Sequence, residues 1–486
     1  MTKTVYIKTV GCQMNVLDSE MVIADLRRHG YTVVDTPDHA DLVLYNTCSI
    51  RENAEEKVYS HLGRIRKMKQ RSPDQIIGVI GCMAQKDQKT VFSRASYVDM
   101  VVGPGQLHTI PTLIDKVRGG EGKQMAVSLG RKDGSQLKIA RSHETFDPLR
   151  DPTMRPTPFQ AYLRIQIGCD KFCTYCVVPG TRGPEQGRSP EQIIAEAKVL
   201  ADQGCREITL LGQTVNSYRY KHDTGESTDF ASLLRQLHPI DGIDRIKFVT
   251  NYPKDMTERV LKTIRDLPKV SPYLHVPVQS GSDAVLKRMK RGYTVADYMT
   301  MIERIETILP EAAISSDFIV GFCGETEDDF QQSVAMVQRC RFKNSFIFQY
   351  SVRPGTKAAE RLVDDVPREV KISRNNELLA VQNAVAEQGN AAFVGRQVEV
   401  LVEGPSKRSQ NDASHHGGDQ NDDSTLTQMT GRTHCDRIVV FDGNVRQTGQ
   451  MLTVGIDQST PFTLIGRVRT VDVVSIGLPT ASAVHA

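Results

Sequence analysis

The stretch AYLRIQIGCDKFCTYCVVPGTRG, residues 161–183, begins as a short apolar strand and runs directly into three cysteines spaced C-x3-C-x2-C. Cys169, Cys173 and Cys176 are bounded by Gly168 and Gly183, with no fourth cysteine or histidine nearby. Downstream, EITLLG, IKFVT, PYLHVPV, AAISSDFIVGF and FIFQYS alternate with amphipathic segments. That rhythm predicts a partial TIM-like (β/α)6 barrel over residues 158–388, with its chemistry at the carboxyl ends of the strands. The segment REVKISRNNELLAVQNAVAEQGN predicts a closing helix.

Upstream, over residues 1–118, VYIKTV, DLVLYN, IIGVIG and DMVVG are each followed by an amphipathic run. This predicts an open parallel α/β sheet, with Gly30 ending its first helix. Cys12, Cys48 and Cys82 each follow a strand, in loops that open on one edge of such a sheet. Thiols about 35 residues apart in sequence can therefore gather as a second triad. The competing reading makes each a small buried hydrophobe.

Residues 119–157 read as a linker, rich in glycine, proline and charge. Short strands with glycine punctuation over 389–475 predict a small antiparallel β-barrel. It carries a polar insertion at 410–428, expected to be disordered, in which His415 and His416 read as solvated rather than metal-binding. Residues 476–486 form a tail.

A chain of 486 residues exceeds one core, so several domains are expected. A formal charge of +3, with 24% charged and 39% hydrophobic residues, describes an ordinary globular protein whose net charge announces no polyanion partner. No signal-like apolar region opens the chain and no apolar run is long enough to span a bilayer. The expectation is a cytoplasmic protein without membrane contact. In a reducing compartment, clustered cysteines point to metal or catalytic duty rather than disulfides.

Three thiolates and no fourth ligand suit two metal chemistries unequally. Structural zinc wants four ligands, commonly from paired C-x2-C knuckles, and catalytic zinc takes three plus water. A 4Fe-4S cluster on three thiolates keeps one iron open to an exogenous ligand.

C-x3-C-x2-C after the first strand of a β/α barrel resembles the signature of radical S-adenosylmethionine (SAM) enzymes. With the earlier cysteines and the terminal barrel, the layout resembles that of the methylthiotransferases over about residues 1–475. GCQMN, NTCSIRENAEEK, GCMAQ, LLGQTVNSY, PVQSGSDAVLKRMKRGYT, DFIVGFCGETEDDF, QYSVRPGTKAA and LVEGPSK carry the likeness. CTYCVVPGTRG and TGRTHCDRIVVF favour the branch acting on tRNA. Sister branches act on a ribosomal-protein aspartate or on threonylcarbamoyladenosine, and a non-catalytic zinc and RNA-binding protein is the remaining alternative.

The resemblance implies methylthiolation at C2 of an N6-dimethylallyladenosine beside the tRNA anticodon. It implies two 4Fe-4S clusters, one on Cys169, Cys173 and Cys176, the other on Cys12, Cys48 and Cys82. One SAM would donate methyl and a second the 5′-deoxyadenosyl radical. An electron donor such as flavodoxin or ferredoxin, a sulfur source and a monomeric state are expected. The terminal barrel would be of the TRAM type.

For SAM, Gln213 is placed for the amino group, Arg291 for the carboxylate, Gln279 and Asp317 for the ribose, and Ile319 and Gly321 for adenine, with Ser280 alongside. For tRNA phosphates the candidates are Lys407, Arg408, Arg432, Arg437 and Arg467, and more weakly Arg64, Arg66, Lys67 and Lys69. His275 receives no role, and Cys205, Cys340 and Cys435 read as spare. Gly180 and Cys323 depart from the family pattern, where tyrosine and proline are common.

Overall fold

The protein is described by a computed structural model covering residues 3–49, 52–127, 157–407 and 426–469, together with Thr153, Arg155 and Ser409. It divides into two compact units, Met1–Val385 and Ala386–Ala486.

The first unit opens with six parallel strands in the spatial order Tyr31–Val33, Lys3–Val10, Leu42–Thr47, Ile76–Gly81, Met100–Val102 and Gln124–Ala126. Leu42–Thr47 and Ile76–Gly81 are buried along their whole length, as a sheet covered on both faces requires. Side chains alternate between two cores. Leu42, Leu44, Ile76, Ile80, Met100 and Val102 pack on one face, while Val43, Tyr45, Ile77, Val79 and Val101 pack on the other. Helix Gln13–Arg28 stops at His29, and Gly30 follows at φ +81° in the left-handed region, as its place in the sequence predicts. Gln124–Ala126 falls inside the expected linker and corrects it, because Met100 to Val102 pair with these residues as a further parallel strand.

Six more parallel strands form the partial barrel. One half holds Gln160–Arg164, Glu207–Leu211 and Arg245–Phe248, the other Tyr273–His275, Ala313–Val320 and Asn344–Gln349. The seam is closed by backbone bonds from Ile246 N–H to Lys269 O (2.7 Å) and from Ser271 N–H to Ile246 O (2.9 Å). Helix Gln13–Arg28 of the first sheet packs on the first half: Met14, Leu17 and Met21 meet Tyr162, Leu211 and Val249. Helix Arg368–Ala391 runs through the residues of the predicted closing helix.

The second unit contains a closed five-stranded barrel, ordered Gln397–Pro405, Thr427–Thr433, Ile438–Gly443, Thr463–Val468 and Met451–Ser459. Val400, Val402, Met429, Val439, Phe441, Val454, Ile456 and Leu464 fill it. It is not wholly antiparallel, since Ile438–Gly443 and Thr463–Val468 pair in parallel. Thr427 and Gln428, expected in the insertion, begin a strand that pairs with Gly443 and Asp442. Residues 410–425, with His415 and His416, lie outside the described residues, as do Arg408 and the tail. Among the described residues no helix is long and apolar enough to cross a membrane.

Candidate active site

Register assembles the first triad. Val10 pairs with Thr47 and Thr47 with Gly81, so the ends of three adjacent strands lie side by side. Cys12, Cys48 and Cys82 follow immediately. Strand order reverses beside Lys3–Val10, the kind of edge where open α/β sheets collect ligands. Cys12 is exposed and caps helix Gln13–Arg28; Cys48 and Cys82 are buried. Two glycines permit the approach. A Cβ on Gly11 would lie 2.8 Å from Cys48 Cβ; on Gly81, at φ +91°, it would lie 2.4 Å from Asn46 Oδ1.

A buried polar scaffold holds these loops. Asn46 Nδ2 donates to Asn15 O (2.8 Å) and Ser19 Oγ (2.9 Å), and Ser19 Oγ is 2.7 Å from Thr9 Oγ1. Arg182 Nε donates to Cys82 Sγ at 3.2 Å. Burial pushes the Cys82 thiol up to about 12, with Arg182 opposing the rise and the neighbouring Cys48 and Cys12 reinforcing it. Such a thiol keeps its proton until a cation displaces it.

The second triad is held by its own loop. Cys176 N–H bonds to Cys173 O (3.1 Å) and Cys169 N–H to Gly183 O (3.2 Å). Thr174 is pinned to the end of helix Asp283–Arg288, its N–H to Met289 O (3.0 Å) and its Oγ1 to Arg288 O (2.9 Å). Burial raises the Cys169 thiol to about 11 and Cys176 to about 12. Among the described residues no three His, Cys, Asp or Glu side chains converge closely enough to enclose a single ion.

Arg291, expected as the carboxylate fork, is engaged by protein groups. Its buried guanidinium donates from Nε to Tyr293 Oη (2.8 Å), from Nη1 to Cys173 Sγ (3.3 Å) and Tyr175 Oη (3.4 Å), and from Nη2 to Pro277 O (2.9 Å). No pair of N–H groups is left side by side, and its place is behind a cysteine thiol. Ser280 is buried and serves its own turn, where Ser282 N–H donates to its Oγ (3.2 Å).

The Oε1 of Gln213 is buried without a hydrogen-bond partner, an acceptor awaiting a donor. Gln279 adopts φ +81°, and its backbone brackets Asp317 and Ile319, with N–H to Asp317 O (2.9 Å) and O accepting from Ile319 N–H (3.0 Å). Asp317 Oδ1 lies 3.5 Å from His275 Nε2, and His275 Nδ1 lies 2.9 Å from Ser315 Oγ. His275 therefore orients a candidate ligand. Gly321 N–H donates to Glu325 Oε2 (2.6 Å), and the Glu325 carboxyl is raised to about 6 by burial. Phe346 and Phe348, absent from the sequence reading, pair in register with Asp317 and Ile319 and remain 48% and 40% exposed. Their alternation in FIFQ was the available signal.

Of the two departures, Gly180 has open space where a side chain would start, and Cys323 is buried among Val285, Met289, Phe322, Tyr350 and Ala358. Of the phosphate candidates, Lys407 and Arg467 are exposed. Three have protein partners: Arg467 is paired with Asp457 (3.3 Å), Arg432 with Glu403 and Asp436 (both 3.1 Å), and Arg437 lies 4.5 Å over the Phe393 ring. Arg66 and Lys67 are exposed, whereas Lys69 is paired with Asp99 at 2.8 Å. The Arg64 side chain lies outside the described residues.

Residues 163–337 match the Radical SAM superfamily and residues 4–103 match Uncharacterized protein family UPF0004. The chain is 74% identical over 480 residues to the tRNA-2-methylthio-N(6)-dimethylallyladenosine synthase of Rhodopirellula baltica, covering 99% of this chain and 98% of that one. It is 43% identical to the synthase of the same name from Bordetella petrii, over 97% of this chain and 92% of the other. Among solved structures, the radical S-adenosylmethionine methyltransferase TsrM from Kitasatospora setae, with cobalamin and a [4Fe-4S] cluster bound, superposes with a TM-score of 0.55 at 13% identity, over 74% of each chain. At that identity the likeness concerns the fold.

Proposed function

The chain belongs to the tRNA-2-methylthio-N(6)-dimethylallyladenosine synthases, within the radical SAM superfamily, and from that premise we propose that its two cysteine triads divide the family's reaction between radical generation and sulfur delivery. It is a radical SAM methylthiotransferase that converts N6-dimethylallyladenosine next to the tRNA anticodon to its 2-methylthio derivative, with one SAM as methyl donor and a second as radical source.

Cys169, Cys173 and Cys176 would hold a 4Fe-4S cluster that supplies the electron for SAM cleavage, and Cys12, Cys48 and Cys82 would hold a second that carries or supplies the sulfur. The chain fits both groups in its donor chemistry: each triad offers three soft thiols, one of them receiving an arginine N–H.

The remaining work belongs to side chains. Gln213 Oε1 accepts from the methionine amino group, which satisfies its buried lone pairs. Asp317, oriented by His275, and Gln279 accept from the ribose hydroxyls. Ile319 and Gly321 line the adenine. Phe346 and Phe348, exposed beside Asp317 and Ile319, shield the reacting carbon from water. Arg291 fixes Cys173 rather than SAM. Lys407 and Arg467 contact tRNA phosphates. A one-electron donor such as flavodoxin or ferredoxin and a sulfur source complete the cycle, and the chain acts as a monomer in the cytoplasm.

The observation that carries this reading is the presence of two three-cysteine sets, each following the carboxyl ends of parallel strands, within the single unit Met1–Val385. Nucleoside mass spectrometry of tRNA from a deletion strain tests it. The methylthio nucleoside is expected to vanish while the prenylated precursor accumulates; its persistence in a strain with no second such enzyme overturns the assignment.

A further inference from the structure

Arg182 stands where the loop of the second triad reaches the first. It follows Cys176 by six residues, and its side chain is 4% exposed. Besides the bond to Cys82, Nη2 donates to Asn15 Oδ1 (3.1 Å) and is paired with Asp18 Oδ2 (2.7 Å). Asp18 is fully buried, with Arg164 a further 3.9 Å away. The short helix Val178–Thr181 packs on helix Cys82–Asp87. A second arginine repeats the gesture: Arg353 Nη1 donates to the carbonyl of Ser49, the residue after Cys48, at 2.7 Å. The barrel thus grips two of the three cysteine loops on the sheet.

We propose that Arg182 is a positioning residue for sulfur transfer, tying the Cys82 corner of the first triad to the Cys169–Cys176 loop and tuning the first cluster through an N–H to its thiolate. This rests on the two-cluster reading above. Two physical facts favour it. Cys176 and Arg182 share one short stretch of chain, so the separation of the two sites is set by that stretch rather than by a flexible interface. Hydrogen bonds to the ligating sulfurs are one of the protein's controls on a cluster's reduction potential. Asp18 offsets the arginine's charge, leaving the directed N–H as its distinctive contribution.

The test uses full-length enzyme, with the first cluster isolated spectroscopically by Cys169→Ala, Cys173→Ala and Cys176→Ala. Arg182→Met removes the donor but strands a buried carboxylate, so its effect mixes folding with tuning. Asp18→Asn with Arg182→Met separates them. The double variant is expected to recover thermal stability relative to Arg182→Met and yet keep a more negative midpoint potential, or lose the iron of the first site. Arg182→Lys, which retains a donor, is expected to restore part of the potential.

With the second triad intact, the double variant should make deoxyadenosine within about twofold of the parent and methylthio product at least about tenfold less. An unchanged potential at full iron loading overturns the inference, as does a parallel fall of deoxyadenosine and product. Failure of the parent enzyme to bind about eight irons would instead sink the two-cluster reading.

Discussion

Cys169, Cys173 and Cys176 come from one loop of eight residues, whereas Cys12, Cys48 and Cys82 come from three loops about 35 residues apart. In the short loop, backbone bonds among neighbours fix the spacing of the thiols, and two contacts from Thr174 anchor the whole to a helix end. In the dispersed triad nothing is local. Three strands must be in register, two glycines must clear space, and an Asn15–Asn46–Ser19 network must hold the turns. Each triad nonetheless ends in the same device, a buried guanidinium against one sulfur: Arg291 on Cys173 and Arg182 on Cys82. A ligand set written within one loop tolerates change elsewhere, and one assembled by a sheet inherits every weakness of that sheet.

The largest expected effect breaks the comparison at its chemistry. Cys173→Ala should abolish SAM cleavage, while Cys48→Ala should preserve cleavage and lose thiolation, each lowering iron from about eight to about four per chain. Deoxyadenosine and methylthio-nucleoside assays read the two outcomes, and the reverse pattern would mean the roles are exchanged.

Scaffold substitutions come next. Asn46→Ala leaves Asn15 O and Ser19 Oγ without their buried donor and should cost about 2–3 kcal/mol in urea denaturation. It should deplete iron from the first site and spare SAM cleavage. Gly81→Ala forces a side chain into a glycine-only backbone region, φ +91° and ψ −158°, against Asn46. A loss of about 1–3 kcal/mol is expected, with the same one-sided iron depletion. An equal loss from both sites would show that the triads share a scaffold.

The smallest effect falls on the local triad. Thr174→Val removes one hydroxyl bond to Arg288 O and should cost about 1 kcal/mol, leaving the first cluster's spectrum unchanged.

Legibility followed the same division. The C-x3-C-x2-C loop was plain because its ligands are neighbours in the chain. The first triad could be inferred because each cysteine follows an apolar run that had to be a buried strand. The partners of Arg291 could not be read from the sequence, because a basic residue near a binding loop looks available until its donors are counted against Tyr293, Cys173 and Pro277. The ion pairs of Arg432 with Glu403 and Asp436 were hidden for the same reason. The strand Gln124–Ala126 was hidden because three residues at a sheet edge carry too little hydrophobic pattern to stand out from charged and glycine-rich surroundings.

By itself the sequence determined the strand-and-helix alternation of the two α/β regions, the terminal barrel and the six thiols, because hydrophobic period and ligand spacing are properties of the chain. Only the tertiary structure decided which arginine answers which cysteine and which donors remain free. Those depend on where a side chain is buried and what has already claimed its hydrogen bonds, and residues a hundred or more positions apart, such as Cys82 and Asn15 with Arg182, meet only after folding.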